Sequence, residues 1–286
     1  MGSNFKNYLN TFVFDTDLPG SGQNVSFHPV TTGQLKRLLL YETTDDPLAI
    51  ETALDELIEE CIIKPEGLKA KDLYVQDRFY LMVEIRKATR GATYQFQTTC
   101  TSCGSQTQQN INLSSLPVTT LSKVVKKDVK APTPAAKQRK GKLVEKTEEP
   151  KVVETKPTAD WNVVKLNDNI SLRLDLVTRK LQQDAFDLFK ANHPDMSKVS
   201  DIERTLDVAT LLYAMAIKSV ITPDGEEELS LEDKVFLLDN IQQSEQEKIS
   251  KWYDDHDFGI DFSFNVKCAQ CGFEEKKEVP VDSFFY

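Results

Sequence analysis

The sequence has no apolar run near the roughly 20 residues that a membrane-spanning helix needs. Its best candidate, Leu211–Ile217, is closed by Lys218, so the chain is expected not to cross a bilayer. The opening "MGSNFKNYLN" lacks the apolar centre of a secretion signal, and Lys6 stands where a myristoylation motif wants Ser or Thr. A cytoplasmic, reducing setting is therefore expected. A phosphate loop, a dinucleotide fingerprint, a nucleophile elbow and a His-Glu-x-x-His pair are all missing. The histidines are few, and His28, His193 and His256 are not spaced as partners, so each reads as a surface or capping residue. Carboxylates are plentiful but follow solvent faces and receive no acid-base role. These absences argue against an enzyme and against a small-molecule substrate.

What remains is an ordinary globular composition, 40% hydrophobic and 28% charged, with enough chain for one or two domains. The net charge of −10 is unevenly spread. Residues Lys123 to Lys156 carry 11 Lys and Arg against 5 Asp and Glu, leaving −16 on everything else. That stretch has no aromatic residue and holds Pro132, Pro134 and Pro150, a composition that buries too little apolar surface to offset ordering entropy. It reads as a flexible basic insert, 123–158, between an N-terminal half, 1–122, and a C-terminal half, 159–286.

In the first half a Gly-rich turn at Leu18–Gln23 precedes alternation through Val25 and Phe27, then a helix starts near Thr32. Asp46-Pro47 opens a second helix, with Leu54, Leu57, Ile58, Cys61 and Ile62 on one face. Cys61 there reads as a small core residue. A third helix runs from about Lys71, with Leu73, Phe79, Leu81, Met82 and Ile85 as its stripe, to a stop at Gly91. Beyond Gly91 the period becomes two, with Tyr94 and Phe96 on one strand face before Cys100, and Ile111 and Leu113 alternating after it. The second half predicts strands around "WNVVKL" and "ISLRLDLV", then helices at "TRKLQQDAFDLFKAN", "SDIERTLDVATLLYAMAIKSV" capped by Ser200, "SLEDKVFLLDNI" capped by Ser230, and "QSEQEKISKWYDD". A last strand through Phe262 and Phe264 leads into Cys268, and Val279 and Val281 leave the loop.

Four of the five cysteines thus form two copies of one loop, "CTSCG" at Cys100–Gly104 and "CAQCG" at Cys268–Gly272. Each loop reverses the chain so that two thiolates face one concavity, and two loops complete a tetrahedral four-sulfur shell. A long intervening sequence raises the closure entropy only logarithmically. Cys100, Cys103, Cys268 and Cys271 are therefore predicted to hold one structural Zn2+ per chain as a clasp between the halves. A thioredoxin-like pair would instead place its CxxC at a helix start. The expected fold class is α+β, with mostly helical halves joined by a zinc-ribbon-like pair of cysteine hairpins.

Three local patterns resemble one family. Leu18-Pro19-Gly20-Ser21-Gly22-Gln23 with Val25 and His28-Pro29-Val30, then "GQLKRLLLYET", then Asp77-Arg78-Phe79-Tyr80-Leu81, Arg86 and Arg90-Gly91 leading to Cys100, Cys103 and "INLSSL" are similar to the baseplate hub proteins of T-even-type contractile-tailed bacteriophages. The match runs in order over residues 15 to 116, with His28 in place of the usual Arg and Gln23 in place of Lys. The resemblance implies a structural or assembly component of the virion's tail baseplate, present in the host cytoplasm during assembly. Its implied partners are other phage baseplate and hub proteins, and it brings no catalytic residues. An alternative from another class is a zinc-ribbon nucleic-acid-binding protein using the basic insert; the −16 on the remaining chain would repel phosphates and disfavours it.

Overall fold

A computed structural model describes residues 12–41, 47–122, 160–281 and 284–285. The basic segment 123–158 lies outside the described residues. The fold is mixed α+β, with seven helices and several small antiparallel sheets among the described residues.

Strand β1, Phe14–Asp17, and strand β2, Asn24–Phe27, pair antiparallel with Phe14 opposite Phe27 and Asp17 opposite Asn24. Their connection is the Gly-rich turn, closed by Leu18 N–H to the Gln23 carbonyl and Gly22 N–H to the Leu18 carbonyl, both at 2.9 Å. Helices α1, Thr32–Tyr41, and α2, Pro47–Cys61, follow, with proline in the first turn of α2 where a missing N–H costs nothing. Leu57, Ile58 and Cys61 are buried as their spacing predicts, and burial pushes the Cys61 thiol up to about 12. The helical stripe ends one residue early: Ile62 belongs to β3, Ile62–Lys64, the third strand of the sheet. Two consecutive β-branched residues beside an available β2 edge favour a strand over another helical turn.

Helix α3, Val75–Arg90, starts later than expected, after a single 3₁₀ turn at Ala70–Asp72, and ends at Gly91 in the left-handed region, φ 83°. It is also wrapped further round than its apolar stripe implies, because Asp77, Arg78 and Arg86 are buried alongside Leu81, Met82, Val83 and Ile85. After α3 come β4, Thr93–Thr99, β5, Gln106–Asn112, and β6, Val118–Thr119.

The later residues form β7, Val163–Lys165, β8, Ser171–Leu174, α4, Arg179–Asn192, and α5, Asp201–Ala216. The Ser200 hydroxyl caps α5 by accepting the Glu203 N–H at 3.1 Å. The long helix expected there stops at Ala216. Ile217–Thr222 is instead β9, hairpinned through Gly225 to β10, Gly225–Glu227, in a four-stranded antiparallel sheet ordered β10-β9-β8-β7. The β-branched Ile217, Val220 and Ile221 supply strand propensity, and Pro223-Asp224-Gly225 supplies the turn. Helices α6, Leu231–Asn240, and α7, Gln243–Asp255, precede β11, Gly259–Ile260, β12, Ser263–Lys267, and β13, Glu274–Glu278. The Ser230 hydroxyl caps α6 through the Asp233 N–H at 3.1 Å.

Two hydrophobic clusters organise the interior. One gathers β2, α2, α3 and β4 and takes in Val279, Phe284 and Phe285 from the far end of the chain. The other gathers β7, β8, β9 and α7, with Tyr74 and Leu121 packed against it. Cross-connections are numerous: β6 pairs with β11, the Leu121 N–H bonds the Pro19 carbonyl at 3.0 Å, and Arg78 of α3 and Arg179 of α4 both bond Asp55 of α2. Of these, β6–β11 and Arg179–Asp55 join residues before 122 to residues after 160, so a clasp at the cysteines would act beside other ties between the two parts.

Candidate metal centre

The β4–β5 and β12–β13 hairpins are twins. Each runs in register up to its loop, Thr99 opposite Gln106 and Lys267 opposite Glu274. In each loop the first cysteine donates its N–H to the residue after the glycine, Cys100 to Ser105 at 2.9 Å and Cys268 to Phe273 at 2.8 Å. The glycine N–H returns to the first cysteine's carbonyl at 2.9 Å in both. Gly104 and Gly272 take φ 71° and 74°, where a side chain is strained, and a Cβ on either would meet nothing within 4 Å. Backbone conformation, not crowding, thus selects glycine there.

The two loops face each other and bring all four predicted sulfurs together, their ligand atoms within 4.8 Å of one another. Cys100 Sγ lies 3.8 Å from Cys271 Sγ, and Cys103 Sγ lies 3.7 Å from Cys268 Sγ. A disulfide needs about 2.05 Å, and the cysteines are free thiols. A tetrahedral ion with metal–sulfur bonds of about 2.3 Å has edges of about 3.8 Å, so the spacing suits a four-thiolate metal shell. Cys100 and Cys268 are buried while Cys103 and Cys271 reach solvent.

Protonation chemistry agrees with that donor set. Ser105 Oγ sits 3.1 Å from both Cys103 Sγ and Cys268 Sγ. Its hydroxyl, followed by the N–H groups of Cys271 and Gln270, draws the Cys268 thiol down to about 6, and the same hydroxyl lowers Cys103. Cys271 is pushed up to about 11: the Phe273 N–H lowers it, but desolvation and the neighbouring thiols outweigh that bond. Sulfurs this close cannot all be anionic on their own, and a divalent cation among them would remove the conflict.

Polar and aromatic groups hold the hairpins face to face. The Thr101 N–H and hydroxyl donate to the two Glu275 oxygens at 3.3 and 2.8 Å, and Lys277 Nζ donates to the Thr99 carbonyl at 2.7 Å. The Glu275 carboxyl is lowered despite desolvation, because Thr101 and Lys277 favour its charge. Beneath the loops Phe96 meets Phe264 edge-on at 5.5 Å, and Tyr94 meets Phe284 at 5.0 Å while donating its hydroxyl to the Pro280 carbonyl at 2.9 Å. Arg86 lies 5.5 Å from the Tyr94 ring centre and donates to the carbonyls of Gly91, Thr93 and Phe284.

Cys61 stands apart in the core, as its helical spacing predicts. His28 bonds the Pro29 and Glu60 carbonyls, and His256 is buried at the end of α7 with Nδ1 2.7 Å from the Trp252 carbonyl. His193 also sits at a helix end, but it lies beside Glu203 and Asp207, a grouping that spacing does not reveal. Sequence reading placed Asp77 in the family pattern but assigned it no role. This fully buried carboxylate accepts the N–H groups of Gly20 and Ser21 at 2.6 and 2.9 Å and so anchors the Gly-rich turn to α3. Desolvation raises its carboxyl above the ordinary range, against those bonds. Asp77 stands in the first turn of α3, where a carboxylate usually faces solvent, and its partners here are the backbone N–H groups of a distant turn.

No helix is long and apolar enough to cross a membrane among the described residues. Compared with known proteins, residues 9–285 match the family described as T4 bacteriophage base plate protein. No curated protein and no solved structure matches. The match spans nearly the whole chain and takes in both cysteine loops, so the chain belongs to the T4 bacteriophage base plate protein family.

Proposed function

We propose that this protein is a non-enzymatic structural or assembly component of the hub region of a contractile tail baseplate, stabilised by one structural zinc. Family membership over residues 9–285 carries the assignment to the baseplate of a phage tail, where its contacts are with other tail proteins. The hub position rests on the resemblance of residues 15 to 116, and so do the hub-protein partners. Cys100, Cys103, Cys268 and Cys271 would hold the zinc in a ribbon-like pair of hairpins. Four thiolates fill a tetrahedral shell and leave no position for a substrate or a reactive water, so the ion's contribution is folding energy. The division into 1–122, 123–158 and 159–286 belongs to the same reading, supported by two hydrophobic clusters, one drawn chiefly from residues before 122 with Val279, Phe284 and Phe285 added, the other from residues 164–258.

The function is tested by disrupting the gene in its phage. Heads should form in the host cytoplasm while complete tails do not, and the wild-type protein should be found with baseplate proteins in particles or assembly intermediates. Normal tails, or association with DNA alone, would replace this reading with the nucleic-acid one.

A further inference from the structure

His193 closes α4, and Glu203 and Asp207 project from α5 four residues apart, hence from one helical face. One ligand atom from each of the three lies within 4.8 Å of the others, with His193 Nε2 4.0 Å from an Asp207 oxygen. The imidazole is held from behind: Nδ1 is 3.0 Å from the Phe189 carbonyl, and the ring lies 4.4 Å from the Phe189 ring at 33°. In the neutral ring, the bond to this carbonyl places the proton on Nδ1 and turns the Nε2 lone pair to the carboxylates, the tautomer that a metal-ligating histidine needs. Like charges four apart on a helix repel, and neither carboxylate is ion-paired to Lys or Arg among the described residues; nearby Arg204 pairs with Asp201 instead.

We propose that His193, Glu203 and Asp207 form a second divalent-cation site, separate from the four cysteines and open to exchange. One imidazole and two carboxylates suit a transition ion of the zinc class better than calcium or magnesium, which favour all-oxygen shells. Three protein ligands leave at least one position for water. His193 and Asp207 are half-buried and Glu203 is exposed, so the ion would equilibrate with solvent and cross-brace α4 and α5.

The test is calorimetric titration of Zn2+ into the full-length protein as purified, compared with Asp207→Asn and His193→Gln. Wild type should take up one more equivalent than Asp207→Asn, and a brief EDTA wash should release that equivalent. Each substitution should weaken this binding at least about tenfold, the loss seen even when an outer-shell partner of a metal is removed. Asp207→Asn changes a surface group without adding bulk, so its melting temperature before zinc addition should match wild type and a folding defect cannot mimic the result. Because the comparison is a difference between chains, it holds whatever the cysteines contain. Equal uptake by wild type and both variants would overturn the proposal, as would the absence of any EDTA-releasable equivalent. Binding lost in His193→Gln but kept in Asp207→Asn would also overturn the three-ligand site.

Discussion

Thr101 and Glu275 are joined twice, backbone N–H to Oε1 at 3.3 Å and hydroxyl to Oε2 at 2.8 Å, across 174 residues of sequence. This bracket fixes one cysteine loop against the other hairpin and orients the sulfurs beside it. Glu275→Gln weakens one of the bonds and removes the charge that Lys277 stabilises. Metal affinity measured by chelator competition should fall by about 10- to 100-fold, the usual cost of losing an outer-shell partner. Unchanged affinity would show that the bracket is incidental.

Replacing Cys103 or Cys268 with Ser should damage zinc retention equally, and the double change should add little, because either single change opens the same shell. Elemental analysis of the EDTA-washed variants, together with their melting temperatures, checks this. Additive losses would point to two independent sites. Since β6–β11 and the Asp55 contacts also connect distant parts of the chain, chelation alone should loosen the hairpins without unfolding the whole protein.

Asp55 accepts from Arg78 and Arg179 on its two oxygens, and both arginines are almost wholly buried, at 1% and 5% exposure. Asp55→Ala leaves two buried cations sharing only Glu51, which is 42% exposed at its side chain. The expected loss is about 3 kcal/mol in denaturant unfolding, the lower range for breaking a buried charge pair. A loss below 1 kcal/mol would mean that water or Glu51 satisfies the arginines.

Gly20 is a packing glycine. A Cβ there would lie 2.3 Å from the Phe258 ring and 2.9 Å from Tyr74. Gly20→Ala should therefore cost about 1–3 kcal/mol by overpacking and lower the melting temperature. Gly33→Ala, where a Cβ meets nothing within 4 Å, serves as the control in the same scan.

Glu226 is held down to about 2 by Arg173, followed by the Ser219 hydroxyl. Its folded value lies below the ordinary 4.5, so the stability it supplies is fully present above about 4.5 and is lost as pH falls towards 2. Glu226→Gln should flatten this part of the acid-unfolding profile while leaving the profile near neutral pH parallel to wild type. An identical acid limb would refute the assignment.

The sequence by itself determined the cysteine centre and most of the helices. CxxCG is a local device: the residues that need left-handed backbone, reverse the chain and carry the sulfurs are adjacent, so two copies point to one cluster of four sulfurs before any fold is known. Caps at Ser200 and Ser230 are legible for the same reason, since a hydroxyl and the N–H it accepts lie three residues apart. Only the tertiary structure decided where α5 gives way to β9, because Ile217–Thr222 suits either state locally and the neighbouring β8 edge settles it. It alone decided the roles of Asp55, Asp77, Arg78 and Arg86, to none of which the sequence pattern assigned a buried partner. A charge enters a core only when a partner waits there, and these partners come from residues remote in the chain: Gly20 and Ser21 for Asp77, Arg179 for Asp55, and the Phe284 carbonyl for Arg86.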